Sequence, residues 1–379
     1  MSELTRSGTV HWIGTGLSTG SGLGLVADTA RETVIWGRTE AKAAACADRL
    51  GLSGRVGTAE LSGRALQGAV GPGDVVVSML PATEHPGLAE LASRAGAHFA
   101  CTSYLSPELE RIAARSRDRG LVVLAEDGLD PGIDHLMAHV LVDEAVAAVG
   151  DGPAMVRFTS YCGGIPVTAN AFRYRFSWAP RGVLHALREP ARYISAGEVR
   201  RAPRPWEHTR TLRQGRESFE VYPNRDSLPF VAQYGLPQSW RADEFIRGTL
   251  RLDGWRDAWQ PVFEQLRAGG DEAIDAMADK LAAEFPAGPQ DLDRVVLIVG
   301  LTVTADGGGE FSGRFALDVA GDERESAMAR CVSLPLAIGI RRILDGQMPA
   351  GLTRAAENRR DAQSQLDTLA SAGLPVIRE

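Results

Sequence analysis

The stretch Asp127-Gly128-Leu129-Asp130-Pro131-Gly132-Ile133-Asp134-His135 gathers carboxylates and a histidine, the groups that accept, donate and hold protons. It follows a short apolar run over 121–125 that reads as a strand, so these groups fall where the chain leaves a sheet. In open α/β sheets ligands bind outside the carboxyl ends of the strands. The stretch is therefore a candidate for the place where a substrate meets a cofactor. Asp134 reads as the cap of a helix over 135–149, and His135 as a structural histidine. Asp130 precedes Pro131, which holds it extended.

A sheet must position such a stretch, and the first part of the chain predicts one. Strands are expected at 9–13, 33–36, 74–80, 97–101 and 121–125, with helices at 41–50, 87–94 and 107–119 between them. Ser106 can cap the last of these helices and Pro107 suits its first turn. The alternation argues for a doubly wound parallel sheet of Rossmann type.

After the first strand comes Gly14-Thr15-Gly16-Leu17-Ser18-Thr19-Gly20. Gly14 and Gly16 allow a tight turn and a close backbone approach to a pyrophosphate, with Leu17 and Ser18 in the same turn. The third glycine of G-x-G-x-x-G is replaced by Thr19, and Gly22 and Gly24 weaken the helix expected next. A glycine turn with no ligand is the alternative. At the end of the second strand, Gly37-Arg38-Thr39 holds no carboxylate for a ribose hydroxyl. Arg38 offers a guanidinium for a 2′-phosphate and Thr39 a hydroxyl, which favours NADP(H) over NAD(H); a solvated turn arginine is the alternative. Leu80, closing the third strand, joins the cofactor candidates.

Beyond Asp130 the pattern becomes that of an α+β domain with a mostly antiparallel sheet. Strands are expected at 154–161, 217–222, 245–252, 294–304 and 310–319. Helices are expected within 177–187 and at 257–267, 272–285 and 323–344. The segment 195–216 reads as an irregular surface loop, and the tail after Thr353 as peripheral. The expected domains are 1–128 for the cofactor, completed by 335–379, and 129–334 for substrate binding and dimerisation.

The chain has 379 residues, 44% hydrophobic and 23% charged, with a formal net charge of −7. That balance argues against a general nucleic-acid or anionic-membrane binder. Cys46, Cys101, Cys162 and Cys331 are scattered without zinc spacing, so neither a disulfide framework nor a metal site is expected. No apolar run is long enough for a signal or a span, and a cytoplasmic protein is expected.

Several strings carry a resemblance to a known family. They are Thr102-Ser103-Tyr104-Leu105-Ser106-Pro107, Gly128 through His135, Ser160-Tyr161-Cys162-Gly163-Gly164-Ile165-Pro166 and Phe176-Ser177-Trp178 with Arg181-Gly182-Val183-Leu184. Tyr222-Pro223-Asn224-Arg225-Asp226-Ser227 and Ile246-Arg247-Gly248-Thr249-Leu250-Arg251 follow in the same order. In these the chain resembles the saccharopine reductases, the NADP-dependent, L-glutamate-forming saccharopine dehydrogenases. The resemblance implies oxidation of the secondary amine of saccharopine by hydride transfer to NADP, then hydrolysis of the imine to glutamate and 2-aminoadipate 6-semialdehyde, in lysine metabolism. It implies that Thr102, Ser103, Leu129, Asp130 and Pro131 line the nicotinamide side. Ser103, Tyr104, Asp130, Arg225, Gly248, Thr249 and Leu250 would bind saccharopine, and a homodimer is implied.

Tyr104, Asp130 and Cys162 are the candidates for proton transfer. Arg225 and Arg251 are forks suited to carboxylates. The family carries a serine after the Trp of F-S-W, where this chain has Ala179. A related carboxy-polyamine or other opine-type dehydrogenase, and a non-catalytic NADP-binding regulatory module, are the competing readings.

Overall fold

The computed structural model describes residues 8–285 and 291–379, which divide into two compact units. One holds the described residues up to His135 with Ala329–Glu357 and Asp367–Ala372. The other holds the described residues of Leu136–Met328 with Asn358–Leu366 and Gly373–Glu379.

The first unit alternates strand and helix. Its elements are β1 (Thr9–Ile13), α1 (Gly22–Thr29), β2 (Glu32–Gly37), α2 (Glu40–Arg49), β3 (Gly57–Glu60) and α3 (Gly63–Ala69). They continue as β4 (Val75–Ser78), α4 (His85–Ala95), β5 (His98–Cys101), α5 (Pro107–Arg117) and β6 (Val122–Leu124). Along each strand successive side chains face opposite layers. Val10, Trp12, Val75 and Val77 pack in one core; Ile13, Val76, Phe99 and Val123 pack in the other. This two-faced burial explains the continuous apolar runs. Each buried Val, Leu or Ile contributes about 2 kcal/mol relative to exposure. Ser106 starts α5 by accepting from the Leu109 N–H at 3.1 Å.

The second unit begins within α6 (Ile133–Val149) and is built on β7 (Ala154–Pro166). There follow α7 (Pro180–Arg188), β8 (Ala191–Ser195), β9 (Glu198–Ala202), β10 (Arg210–Gln214), β11 (Glu217–Pro223), α8 (Pro229–Gln233) and β12 (Trp240–Leu252). Three helices, α9 (Trp255–Ala258), α10 (Gln260–Ala268) and α11 (Asp271–Glu284), precede the long hairpin β13 (Asp293–Ala305) and β14 (Glu310–Ala320). Helix α12 (Ala327–Leu344), β15 (Gly351–Thr353), α13 (Arg359–Ser371) and β16 (Ile377–Arg378) complete the chain.

The first sheet is parallel, in the order β15-β6-β5-β4-β1-β2-β3. From β6 to β3 this is the doubly wound order, with its reversal between β1 and β4, where a dinucleotide binds in such sheets. The second sheet runs β10-β11-β12-β7-β13-β14-β16, antiparallel except for β12 with β7. It is the mostly antiparallel sheet expected from sequence.

Several expectations need correction. The segment 195–216 is not an irregular loop: it holds β9 and β10, edge strands whose exposed Arg and Glu side chains hide the alternation. The tail is not peripheral. Past Thr353 it supplies β16 to the second sheet and buries Leu366, Leu369 and Leu374. Helix α12 starts at Ala327 rather than 323, where Asp293 accepts from the N–H groups of Ala327 and Met328 at 2.8 and 2.9 Å. The glycines of α1 do not prevent it from forming.

Candidate active site

The glycine turn follows β1. Gly14 has φ +122° and donates its N–H to the Trp36 carbonyl at 3.0 Å. Thr19, where a third glycine was sought, is buried. Its hydroxyl donates to the Gly14 carbonyl at 3.1 Å and accepts from the Trp12 indole at 3.3 Å, tying the turn shut. Close helix packing falls instead to Gly22, where a Cβ would lie 2.0 Å from the Ser333 carbonyl of α12. At Gly16 a Cβ would meet no atom within 4 Å. Protein packing therefore does not require that glycine, whereas close approach of a pyrophosphate does. Gly16 and Leu17 are exposed and Ser18 is half-buried.

At the end of β2, Gly37 is buried while Arg38 and Thr39 are exposed. The Thr39 hydroxyl accepts from the Lys42 N–H at 3.3 Å, so it also caps α2. No carboxylate among the described residues pairs with Arg38, which leaves its guanidinium open to a phosphate. This set fits the bound portion of NADP. Leu80 follows β4, half-buried at the same sheet edge.

Thr102, Ser103 and Tyr104 follow β5, all half-buried. The Tyr104 hydroxyl donates to Asp130 Oδ1 at 2.7 Å. From Leu121 to Val142 every residue is buried except Asp130. The loop around it is closed by the Gly128 N–H on the Pro131 carbonyl and the Ile133 N–H on the Gly128 carbonyl, both 2.9 Å. Leu129 and Pro131 are buried, and the Asp130–Pro131 peptide is cis. Asp134 is the second residue of α6 rather than the residue before it; its Oδ1 accepts from the Gly132 N–H at 2.8 Å. His135 is buried, 3.4 Å from Asp134 and 3.6 Å from Glu126.

Two residues at this edge escaped the sequence reading. Glu126 accepts from the Leu105 N–H at 3.2 Å and from Arg354, just past β15, at 3.1 Å. Burial pushes its carboxyl up, but hydrogen bonding and charge from His135, the Leu105 N–H and Arg354 outweigh that and hold it at about 2. His85, the first residue of α4, lies between Ser78 (2.9 Å) and Ser103 (2.8 Å), and burial pushes it down to about 4. The signal available in sequence was a polar residue just after a strand, which is weak without its neighbours.

In the second unit Cys162 and Thr249 are register partners on β7 and β12. Cys162 is buried and forms no disulfide. From Glu244 to Arg251 every residue is buried except Thr249. Gly248 lets the sheet close over it: a Cβ there would lie 2.4 Å from the Tyr222 carbonyl and 2.7 Å from the Tyr161 ring. Leu250 is fully buried.

The arginines differ. Arg225 is part-exposed and pairs with Glu189 at 2.8 Å. Arg251 is 6% exposed, stacked at 4.9, 5.5 and 5.7 Å from the rings of Tyr174, Trp255 and Tyr222, and no carboxylate among the described residues pairs with it. Burial pushes the Tyr222 phenol up, and Arg251 and Thr249 push it part of the way down. Arg181 pairs with Asp279 at 2.7 Å, a surface contact. Ala179 occupies the position before α7 with no side-chain cap.

The sheet order, the glycine turn and Arg38 define a Rossmann-type dinucleotide-binding unit joined to a mixed-sheet α+β unit. The saccharopine dehydrogenase NADP binding domain matches residues 10–124, and the saccharopine dehydrogenase C-terminal domain matches residues 128–374. The chain belongs to the saccharopine dehydrogenase family. It is 39% identical over 198 residues to the NADP-dependent, L-glutamate-forming saccharopine dehydrogenase of Pyricularia oryzae, covering 50% of this chain and 42% of that protein. It is 29% identical over 364 residues to the mitochondrial alpha-aminoadipic semialdehyde synthase of Bos taurus, covering 75% and 38%. The matches thus span less than half the length of these relatives. The structure of apo saccharopine dehydrogenase (L-Glu forming) from Saccharomyces cerevisiae superposes with a TM-score of 0.82 at 25% identity, over 98% of this chain and 99% of that one. Among the described residues no helix is long and apolar enough to cross a membrane.

Proposed function

We propose that this chain interconverts saccharopine with L-glutamate and 2-aminoadipate 6-semialdehyde, using NADP. The observation that carries the reading is the Tyr104–Asp130 pair, with Asp130 the one incompletely buried residue of a long buried stretch at the carboxyl edge of the sheet. A partly exposed carboxylate held on a phenol can bind or relay a proton of a secondary amine. NADP, when bound, accepts the hydride. Gly14, Gly16, Leu17 and Ser18 would hold its pyrophosphate, Arg38 and Thr39 its 2′-phosphate, and Leu80, Thr102, Ser103, Leu129, Asp130 and Pro131 its nicotinamide side.

In the second unit Thr249 offers the accessible hydroxyl of β12, with Gly248 and Leu250 as its backbone neighbours. Arg225 would bind a substrate carboxylate, exchanging its surface partner Glu189 for it. Cys162, the register partner of Thr249 on β7, is a further candidate for proton transfer. The cofactor domain is taken as 1–128 completed by 335–379, and the substrate domain as 129–334. Two copies in a cytoplasmic homodimer complete the proposal.

A panel of secondary amines with NADP, and of glutamate plus aldehydes with NADPH, tests the function. Turnover restricted to saccharopine and its products supports it. Preference for an amine with fewer carboxylates points to a carboxy-polyamine dehydrogenase, and tight NADPH binding without turnover to a regulatory module. Arg38→Ala is expected to weaken NADPH roughly ten- to a hundredfold, the worth of a charged hydrogen bond, and NADH little. Equal losses for both cofactors would remove the 2′-phosphate role.

A further inference from the structure

His85 uses both ring nitrogens on hydroxyls: Nδ1 lies 2.9 Å from Ser78 Oγ and Nε2 2.8 Å from Ser103 Oγ. The ring is 2% exposed and sets its edge toward Phe99, with centroids 6.2 Å apart. Ser78 ends β4 and is fully buried; Ser103 follows β5 and is half-buried. Among the described residues no carboxylate touches the imidazole, and it is neutral above about pH 4. A neutral imidazole carries one N–H donor and one bare acceptor nitrogen.

The buried serine decides which is which. Among the described residues the Ser78 hydroxyl has His85 as its one hydrogen-bond partner. If Nδ1 carried the hydrogen, the Ser78 O–H would be buried without an acceptor, which is costly. Ser78 therefore donates to Nδ1, and the hydrogen sits on Nε2. Nε2–H then donates to Ser103 Oγ, which fixes Ser103 as acceptor on its inner side. Its own O–H is turned to the half-exposed side, where no described residue accepts it.

We infer that His85 is a positioning residue that polarises Ser103 as a hydrogen-bond donor toward an acceptor-only group of the ligand, a carboxylate of the substrate. The sequence is Ser78 O–H to Nδ1, Nε2–H to Ser103 Oγ, Ser103 O–H to carboxylate oxygen. No proton is transferred and no bond is broken. The inference rests on the proposed function only for the identity of the carboxylate; the tautomer and the polarity of Ser103 stand on the geometry.

Two substitutions separate the ends of the ring. His85→Asn places an amide near the Nδ1 position and keeps the Ser78 contact. His85→Gln places it near Nε2, with an NH2 that can donate to Ser103. The Asn variant is expected to raise KM for saccharopine roughly fivefold with kcat changed little, as for one lost neutral hydrogen bond. The Gln variant should recover most of that loss. Equal impairment of both, or a loss in kcat alone, would overturn the inference.

Nitrogen-15 NMR of the full-length wild-type protein, labelled at histidine, reads the tautomer without any substrate. The neutral Nε2–H form is expected from pH 5 to 8. An Nδ1–H form, or a charged ring at neutral pH, would overturn the inference. Absence of saccharopine turnover in the wild type removes the proposed substrate, while the NMR result still decides the role of His85.

Discussion

Two buried histidines follow strands of the first sheet, and their surroundings are opposite. His85 lies between two serine hydroxyls with no carboxylate of the described residues in reach. His135 lies between the carboxylates of Glu126 and Asp134, with Arg354 on the far side of Glu126. The rings are almost equally buried, at 2% and 1% exposure. Burial alone therefore does not set the role of a histidine; its partners do. The hydroxyl-bound ring is kept neutral and can orient a hydroxyl. The carboxylate-bound ring ties the start of α6 to the end of β6 and to the strand returning from the C-terminal part of the chain.

The largest expected break of this contrast is Glu126→Gln. It removes the buried charge that links Arg354, His135 and the Leu105 N–H, leaving the Arg354 guanidinium without that anion. Loss of one partner from such a set costs about 3 kcal/mol or more, measurable by urea unfolding. A loss indistinguishable from zero would place Glu126 outside the structural core of the edge.

The two clusters are next separated by pH. The folded Glu126 carboxyl lies near 2, below its ordinary 4.5, so the unfolded chain binds the proton more readily. Its contribution is full above pH 4.5 and is lost as pH falls through about 2. The folded His85 ring lies near 4, below its ordinary 6.5. Its contribution is full above pH 6.5 and is lost as pH falls through about 4. Stability should therefore decline in two acid steps. His85→Gln should shrink the upper step, to which the buried His98 also contributes, and Glu126→Gln the lower, which Glu90 and Glu217 share; the reverse assignment would contradict the contrast.

Much of this edge was legible in sequence. The strands β1, β2, β5 and β6 and the helices α2 and α5 announce themselves by apolar runs and by caps such as Ser106. The Asp130 loop stands out by its composition. The two histidine environments were not legible, for different reasons. His85 gains its meaning from Ser78 and Ser103, which reach it only when β4 and β5 pair. Glu126 sits one residue before the stretch that drew attention, and its partner Arg354 arrives with β15, a short strand that periodicity does not reveal. The same physics hid β3 and α3, whose small residues carry no strong pattern, and β9 and β10, whose side chains face water. Arg251 was nominated with Arg225 on residue type alone. Only packing separates the caged cation from the surface pair.

Smaller effects refine the contrast. Ser78→Ala removes the hydroxyl that selects the His85 tautomer and should cost about 1 kcal/mol of stability, the net worth of one hydrogen bond. Its second effect, an Nδ1–H population visible by NMR, would be absent if Ser78 did not set the tautomer. Ala179→Ser, in the second unit, should add about 0.5–1 kcal/mol by capping α7, and serves as a control in which no acid step moves.

The central claim is the reaction itself. The most direct measurement incubates the full-length protein with saccharopine and NADP and follows NADPH together with both amino-acid products by mass spectrometry. The account predicts glutamate and 2-aminoadipate 6-semialdehyde formed in step with NADPH, and loss of both when Asp130 and Tyr104 are replaced together by Asn and Phe. NADPH formed with a different product, or no NADPH despite bound NADP, would contradict it.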